Sequence, residues 1–449
     1  MLLMKNQQVE LTVDNLDSQG RGVARHDGLV IFVPGALAGE RVLAQIIKVS
    51  RSFSVAKMLD VLEPSSGRVE APCPYFGKCG GCDLQHLDYP AQMSVMRTQV
   101  QGALERLGGF SDIHVEETIP SPKPYRYRNK AQFPVGGGPV IGFYRARSHD
   151  IIDMHDCLLQ PEFTQAFLQA VRTYMHECGV SAYNEQTGAG LLRHVGFRSN
   201  EKGEALVTLV VNGAELPGEE RLVSIIRQNV PQAVGIVLNE NTRRDNVILG
   251  DKSRVIWGED AILETLCGKS YKVSPQSFFQ VNTPQAEKLY EIVRRYADMD
   301  GTGTLLDVYC GTGTIGLSMA GDCERLIGVE SVPQAVLDAK ENAEANGVAH
   351  AEFIPGRAED VLMQMARDGF KADVAVLDPP RKGCDERLLS AVAACGPQKI
   401  IYVSCDAATL ARDAKILGES GYAIGKVQPV DLFPQTNHVE CVTLMSRVE

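Results

Sequence analysis

The sequence predicts an α/β protein in three parts: a small β-barrel, a cysteine-rich middle, and a C-terminal parallel sheet covered by helices on both faces. Three observations carry this reading. Residues 8–63 alternate short β-rich runs with turn signals, three thiols crowd the stretch Cys73–Cys82, and beyond residue 270 apolar strands alternate with helical patterns. Strand-helix alternation with continuously apolar strands implies a parallel sheet buried on both faces. With 449 residues the chain exceeds one ordinary core.

The N-terminal runs are QVELTVDNL, GVARHDGLVIFVP, ERVLAQIIKVS and SVAKMLDVL, parted by Ser18-Gln19-Gly20, His26-Asp27-Gly28 and Gly35-Ala36-Leu37. That spacing predicts a barrel over 1–63. Its charges nearly balance, so charge alone does not make it an RNA binder. Pro64-Ser65-Ser66-Gly67 reads as a linker. A central domain is expected over 64–265, with its topology left open, and the C-terminal domain over 266–449.

Composition narrows the function class. Hydrophobic residues make up 44% and charged residues 22%, as in a soluble globular protein. The N-terminal MLLMKNQQVELTV has no apolar run fit for a signal peptide or membrane span, so a cytoplasmic protein with no membrane partner is expected. A net charge of −11 speaks against indiscriminate nucleic-acid binding, although it leaves room for a local basic surface.

In the C-terminal part, Thr283-Pro284 opens a helix, with a side-chain cap followed by proline at the first helical position. TLLDVY and RLIGVE are strands, and a helix from Ser331 to about Asn346 closes at Gly347. AEFIP, DVAVLD and KIIYVS follow as strands. The last two strands, near 422–429 and 439–447, have no helix between them, so one is expected to be antiparallel.

Asp307-Val308-Tyr309-Cys310-Gly311-Thr312-Gly313-Thr314 follows a strand and opens a helix. Glycines there let backbone approach a ligand, at the strand ends where open parallel sheets bind. The third glycine of the dinucleotide fingerprint is missing, which favours the D-x-x-x-G-x-G loop of methyltransferases over a dehydrogenase. Glu330 ends the next strand, where a carboxylate can accept both ribose hydroxyls of a nucleoside. A helix-capping glutamate is the alternative.

Asp378-Pro379-Pro380-Arg381-Lys382-Gly383 and Ser404-Cys405-Asp406 each follow a strand at the same sheet edge. A helix N-terminus beside Cys405 would favour its thiolate. A thiolate is what carbon-5 methylation of a pyrimidine requires. Sulfur added to C6 makes C5 nucleophilic, and a base must then take the C5 proton. Glu440, where the last two strands meet, is the candidate base, with neighbouring His438 a positioning or incidental residue. A lone Cys or Glu is usually structural, but Asp378, Cys405 and Glu440 each follow their own strand.

Cys73, Cys79 and Cys82 with Cys157 offer four thiolates, suited to zinc or a [4Fe–4S] cluster. Their spacing lacks the paired C-x-x-C of a zinc ribbon, which favours iron–sulfur, and lacks the C-x-x-x-C-x-x-C of radical enzymes. Cys178, Cys267, Cys323, Cys384, Cys395 and Cys441 stand singly and read as small buried hydrophobes. From Ser121 to His149 there are six Lys or Arg and no Asp or Glu. Within that stretch, Tyr125-Arg126-Tyr127-Arg128-Asn129-Lys130 suits stacking on unpaired bases and holding phosphates, or a solvated basic loop.

Together these motifs resemble the RNA uracil-C5 methyltransferases, over nearly the whole chain. The motifs are a TRAM-type barrel, C-x5-C-x2-C with a distant fourth cysteine, F-x-Q-V-N, D-x-x-C-G-x-G, D-P-P-R-x-G, S-C-x-x-x-T-L-A-R-D and H-x-E. The resemblance implies a class I (Rossmann-like) S-adenosylmethionine methyltransferase domain behind the barrel and an iron–sulfur central domain. It implies that Gln280, Tyr309, Thr314, Glu330, Arg357 and Asp378 line the cofactor site, with Cys405 the nucleophile and Glu440 the base. Cys73, Cys79, Cys82 and Cys157 would hold the [4Fe–4S] cluster. Barrel and cluster together lean toward the type acting on uridine 1939 of 23S rRNA, because the tRNA type usually lacks both. A monomer taking a loop uridine is expected. The competing readings are a uridine methyltransferase for tRNA or another rRNA site, a cytosine-C5 methyltransferase, and a non-catalytic RNA-binding assembly factor. Cytosine enzymes usually carry their nucleophile after proline, whereas Ser404 precedes Cys405 here.

Overall fold

The computed structural model describes residues 3–448. The N-terminal strands β1 (Gln8–Leu16), β2 (Gly22–His26), β3 (Leu29–Val33), β4 (Arg41–Val49) and β5 (Phe53–Glu63) close a barrel in the order β1-β2-β3-β5-β4. Alternate residues of β1 are buried, so Val9, Leu11 and Val13 meet Ile31, Val42, Ala44 and Ile46 inside, as a period-two pattern dictates. Buried Glu40 accepts from the Leu37 amide at 2.8 Å and from Arg68, tying the linker to the barrel.

The middle of the chain forms a seven-stranded sheet from β6 (Lys130–Gly136), β7 (Val140–Tyr144), β8 (Ile151–Asp153), β9 (Leu192–Ser199), β10 (Ala205–Val211), β11 (Ala233–Glu240) and β12 (Lys252–Gly258). Its order is β12-β11-β10-β9-β6-β7-β8. Helices Thr164–Cys178 and Glu219–Asn229 cover one face. The hairpin β13 (Ile262–Leu266) and β14 (Lys269–Val273) sends Ile262, Leu266, Tyr271 and Val273 into the C-terminal core instead.

The expected central stretch 64–265 is not one packed unit. Helix Tyr89–Ala103 and the turn after it set Met96, Val100 and Leu104 against Leu410, Ala414 and Leu417 of the C-terminal domain. Val115 and Ile119 then bridge in parallel to Val427 and Val430. The apolar face of that helix has no core of its own to fill, so it packs where an apolar surface is offered.

The C-terminal sheet contains β15 (Thr304–Val308), β16 (Arg325–Glu330), β17 (Ala351–Pro355), β18 (Val374–Leu377), β19 (Lys399–Ser404), β20 (Tyr422–Val430) and β21 (Glu440–Arg447). The order is β17-β16-β15-β18-β19-β21-β20. β15 to β19 pair in parallel, and β21 runs antiparallel to both neighbours, which matches the antiparallel strand expected there. Chain direction across the sheet reverses between β15 and β18, which opens a crevice at their carboxyl ends. The cap expected from Thr283 is not made. Thr283 is itself the first helical residue, after Asn282, and its hydroxyl meets the Asn129 side chain at 3.1 Å. Among the described residues no helix is long and apolar enough to cross a membrane.

Candidate active site

The carboxyl ends of the sheet open into a cleft of about 2000 Å³. Gln280, Tyr309, Thr314, Glu330, Arg357, Asp378, Cys405 and Glu440 all line it. Behind its first end, Asp307 near the end of β15 is fully buried, one oxygen accepting from the Gly316 amide at 2.9 Å. Burial, reinforced by the charges of Asp378 and Glu330, pushes its carboxyl up to about 7. Tyr309 follows with φ 64° and Gly311 with φ 55°, so the chain turns tightly over the strand ends. A β-carbon on Gly311 would meet no protein atom within 4 Å, leaving that side open to a ligand. One on Gly313 would come within 3.2 Å of the Phe353 ring, so this glycine serves packing.

Glu330 lines the cleft with both carboxylate oxygens engaged by main-chain amides. One oxygen takes the Gly311 amide at 3.2 Å, and the other takes Val332 at 2.8 Å, before helix Pro333–Ala345. It therefore joins the glycine loop to a helix start while lining the cleft. Thr314 and Arg357 are more fully engaged with protein. Thr314 Oγ1 lies 2.8 Å from Tyr290 Oη, and Arg357 Nε donates to Glu359 at 2.7 Å from the exposed lip.

At the other end, Asp378, Cys405 and Glu440 sit at the ends of β18 and β19 and the start of β21, where each carboxylate raises the pKa of Cys405. Burial pushes Glu440 up to about 8, Asp378 adds to that, and Arg381 opposes it. Burial likewise holds Asp378 at about 7. The thiolate expected from the helix N-terminus is not favoured in the free protein. Burial, then Glu440, push Cys405 up to about 11, and Asp406 already caps helix Ala407–Glu419, accepting from Ala408 at 2.9 Å and Thr409 at 3.0 Å. A carboxylate on those amides offsets the dipole that would stabilise sulfur.

Arg381 is the site residue whose role the sequence reading missed. Its charge lowers both the Cys405 and the Glu440 pKa, and its guanidinium lies 3.1 Å from His438 Nε2. Burial, with Arg381 next, lowers the His438 pKa, so a neutral imidazole accepts from Arg381. The available signal was Arg381's place three residues after Asp378, in a loop that Arg412 grips through the carbonyls of Lys382 and Cys384.

The Tyr125–Lys130 run departs from the stacking expected of it. Arg126 pairs with Asp156 at 2.6 Å and donates to the Cys157 carbonyl at 2.9 Å, bracing that loop. Tyr127 is buried, its hydroxyl on the Pro434 carbonyl at 3.1 Å. Arg128 lies 5.8 Å from the Phe433 ring, at the cleft. Cys73, Cys79, Cys82 and Cys157 are all partly buried; Cys82 feels the charge of the other three and Cys157 that of Cys79 and Cys73. Burial pushes Cys82 up to about 12 and Cys157 to about 11. Among the described residues no three His, Cys, Asp or Glu side chains are grouped to hold a metal ion.

This geometry agrees with the comparisons. The tRNA (uracil-5-)-methyltransferase family profile matches residues 169–448, and a TRAM domain matches 2–59. The chain belongs to this RNA methyltransferase family. Members use S-adenosylmethionine to methylate uracil C5. An uncharacterized RNA methyltransferase of Halalkalibacterium halodurans is 45% identical, covering 98% of this chain and 97% of that protein. One from Bacillus cereus is 43% identical over 99% and 98%. The tRNA (uracil-54, C5)-methyltransferase of Pyrococcus abyssi, solved with S-adenosyl-L-homocysteine, superposes with a TM-score of 0.80 at 29% identity, over 97% of this chain and 99% of that one. A tRNA enzyme thus has counterparts along almost the whole chain, so the barrel does not separate rRNA from tRNA members of the family.

Proposed function

We propose that this protein methylates carbon 5 of a uridine in 23S rRNA, at the position equivalent to 1939, through a covalent bond between Cys405 and C6. The observation that carries the chemistry is the meeting of Asp378, Cys405 and Glu440, from three strands, in the cleft that also holds the glycine loop and Glu330. S-adenosylmethionine supplies an electrophilic methyl group when bound. The fit for it rests on Gly311, whose missing side chain leaves open space, and on the Glu330 carboxylate beside it. Gln280, Tyr309, Thr314, Arg357 and Asp378 complete that lining, Arg357 from the rim.

Cys405 loses its proton to solvent and its sulfur bonds C6 of a uridine turned out of its stack, leaving C5 nucleophilic. Once C5 is methylated, the Glu440 carboxylate takes the C5 proton, the C6–S bond breaks, and the Cys405 thiolate leaves. Arg381, as a cation beside both groups, favours their charged forms at the moments each must carry charge. The Ser404-Cys405 context and the family membership favour uridine over cytidine, and the intact nucleophile and base favour an enzyme over an assembly factor.

The four cysteines are proposed to hold a [4Fe–4S] cluster. All four thiols are partly buried, and the cluster reading rests on their number and on their spacing in the sequence, which lacks the paired C-x-x-C of a zinc ribbon. Protein purified without oxygen is expected to be brown with about four irons per chain, and one zinc per chain would overturn this assignment.

Of the barrel and the cysteines that together suggest the rRNA reading, only the cysteines still bear on it, because a tRNA enzyme has counterparts along almost the whole chain. The tRNA reading is favoured by the full-length likeness to the Pyrococcus abyssi enzyme. A cytoplasmic monomer is proposed in either case. Labelled methyl transfer to unmodified 23S rRNA and to unmodified tRNA, followed by nucleoside mapping, decides between them. A single 5-methyluridine at 1939 is the expected result. Label only in tRNA would discard the target and keep the chemistry, and label only in cytidine would discard the uridine assignment.

A further inference from the structure

The nine residues 431–439 that lead into Glu440 form no strand or helix, and the cysteine-rich segment is bonded directly to their tip. The Gln435 carbonyl accepts two main-chain amides, Asp83 at 3.0 Å and Leu84 at 3.1 Å. The Asp83 carboxylate accepts the Asn437 amide at 3.3 Å. Gln92, itself buried, donates to the Gln435 side chain at 3.1 Å and to the Leu84 carbonyl at 3.1 Å. The barrel joins at the same point, where the Asn437 side chain donates to the Ser18 carbonyl at 2.5 Å. A β-carbon on Gly20, where φ is 70°, would press to 3.3 Å from that of Asp83.

Gln435 sits at φ 71° and is 2% exposed. A non-glycine residue in left-handed backbone is held there only when its surroundings over-determine it. Here the surroundings are the cysteine segment, two residues past Cys82, and the Gln92 amide. Glu440 lies five residues further on, opposite Val430 in the sheet, with His438 and its Arg381 contact between.

We propose that the Asp83–Leu84 segment is a positioning element for the Glu440 base, acting through Gln435 and Asn437. It thereby governs removal of the C5 proton and breakage of the C6–S bond, and not the earlier bond formation. This rests on the reading of Glu440 as the base. A general base works only within hydrogen-bonding reach of its proton, and misplacement by about 1 Å costs of the order of a hundredfold.

The test follows one turnover of the full-length protein with RNA tritiated at uridine C5, reading methyl incorporation, tritium release and denaturant-stable RNA–protein adduct. Asp83→Ala is expected to incorporate methyl at the wild-type rate, release tritium at least about tenfold more slowly, and accumulate adduct. Asp83→Asn, which keeps an acceptor for the Asn437 amide, should restore release. A merely structural role would slow methyl incorporation and tritium release together, and that result, or wild-type release in Asp83→Ala, would overturn the proposal. Gln435→Gly keeps the backbone turn and loses the Gln92 bond, so it carries the same test should Asp83→Ala not fold. Glu440→Gln serves as control. If it forms no Cys405-dependent adduct, the assignment of the base fails and the positioning role fails with it. If it does while Asp83→Ala and Gln435→Gly behave as wild type, only the positioning role fails.

Discussion

Cys405→Ala is expected to abolish methyl transfer, lowering the single-turnover rate by at least about a thousandfold while the protein still folds and binds RNA. The reasoning is chemical. Without sulfur on C6, C5 of uracil is too weak a nucleophile to take the methyl group, and among the described residues no other thiol at the cleft is as exposed as Cys405. Cys310 and Cys384 also line the cleft, yet both are buried and burial pushes them up, Cys384 to about 12. Cys405 itself is only partly buried at a strand end, where truncation to alanine changes stability little. Gel shift with unmodified RNA, thermal melting and methyl incorporation together check this. Retained methylation with intact folding would remove Cys405 from the mechanism.

Glu440→Gln is expected to stall the reaction one step later. Methyl transfer proceeds, but the C5 proton stays, so a covalent RNA–protein species builds up and turnover falls by about a hundredfold to ten-thousandfold. The pH dependence carries the same signature. Burial first, and Asp378 second, hold Glu440 at about 8, so in the free protein the base is mostly protonated at neutral pH. Its working form is the anion and it acts after methyl transfer, so the single-turnover rate of C5-proton release should rise as pH climbs through about 8. In Glu440→Gln that arm should vanish. Loss of fold cannot mimic this. A carboxyl whose folded-state pKa is raised stabilises the fold at low pH and loses that contribution as pH rises through the folded value. Replacing it with glutamine removes a cost at alkaline pH, and the variant should melt no earlier than the parent there.

Much of the catalytic end was legible in the chain because its chemistry is written in short motifs at strand ends. Asp307, Glu330, Asp378 and Cys405 each stand at or next to the end of a parallel strand, and a doubly covered parallel sheet brings all such ends to one edge. Glu440 was legible for a related reason, as the start of an antiparallel partner to the strand carrying Cys405. The barrel was readable from its alternation. What the reading missed concerns contacts between distant segments. Nothing local in Tyr125–Lys130 says that Tyr127 would be buried against Pro434, or that Arg126 would brace Cys157, so an aromatic and basic run looked like an RNA surface. Helix Tyr89–Ala103 gave a similar misdirection, for its apolar face does not name the core it joins.

The thiol makes the division plainest. A helix beginning just after Cys405 was evident, and with it a dipole favouring thiolate. Only the folded protein shows that Asp406 has taken those amides and that Glu440 and Asp378 crowd the sulfur from other strands. Residue types, motif spacing and strand order, set by local propensity and hydrophobic period, decided which groups are present and at which sheet edge. Their protonation depends on burial and on charges carried by other strands, the hold of the cysteine segment on the loop before Glu440 joins residues hundreds of positions apart, and both exist only once the chain is packed.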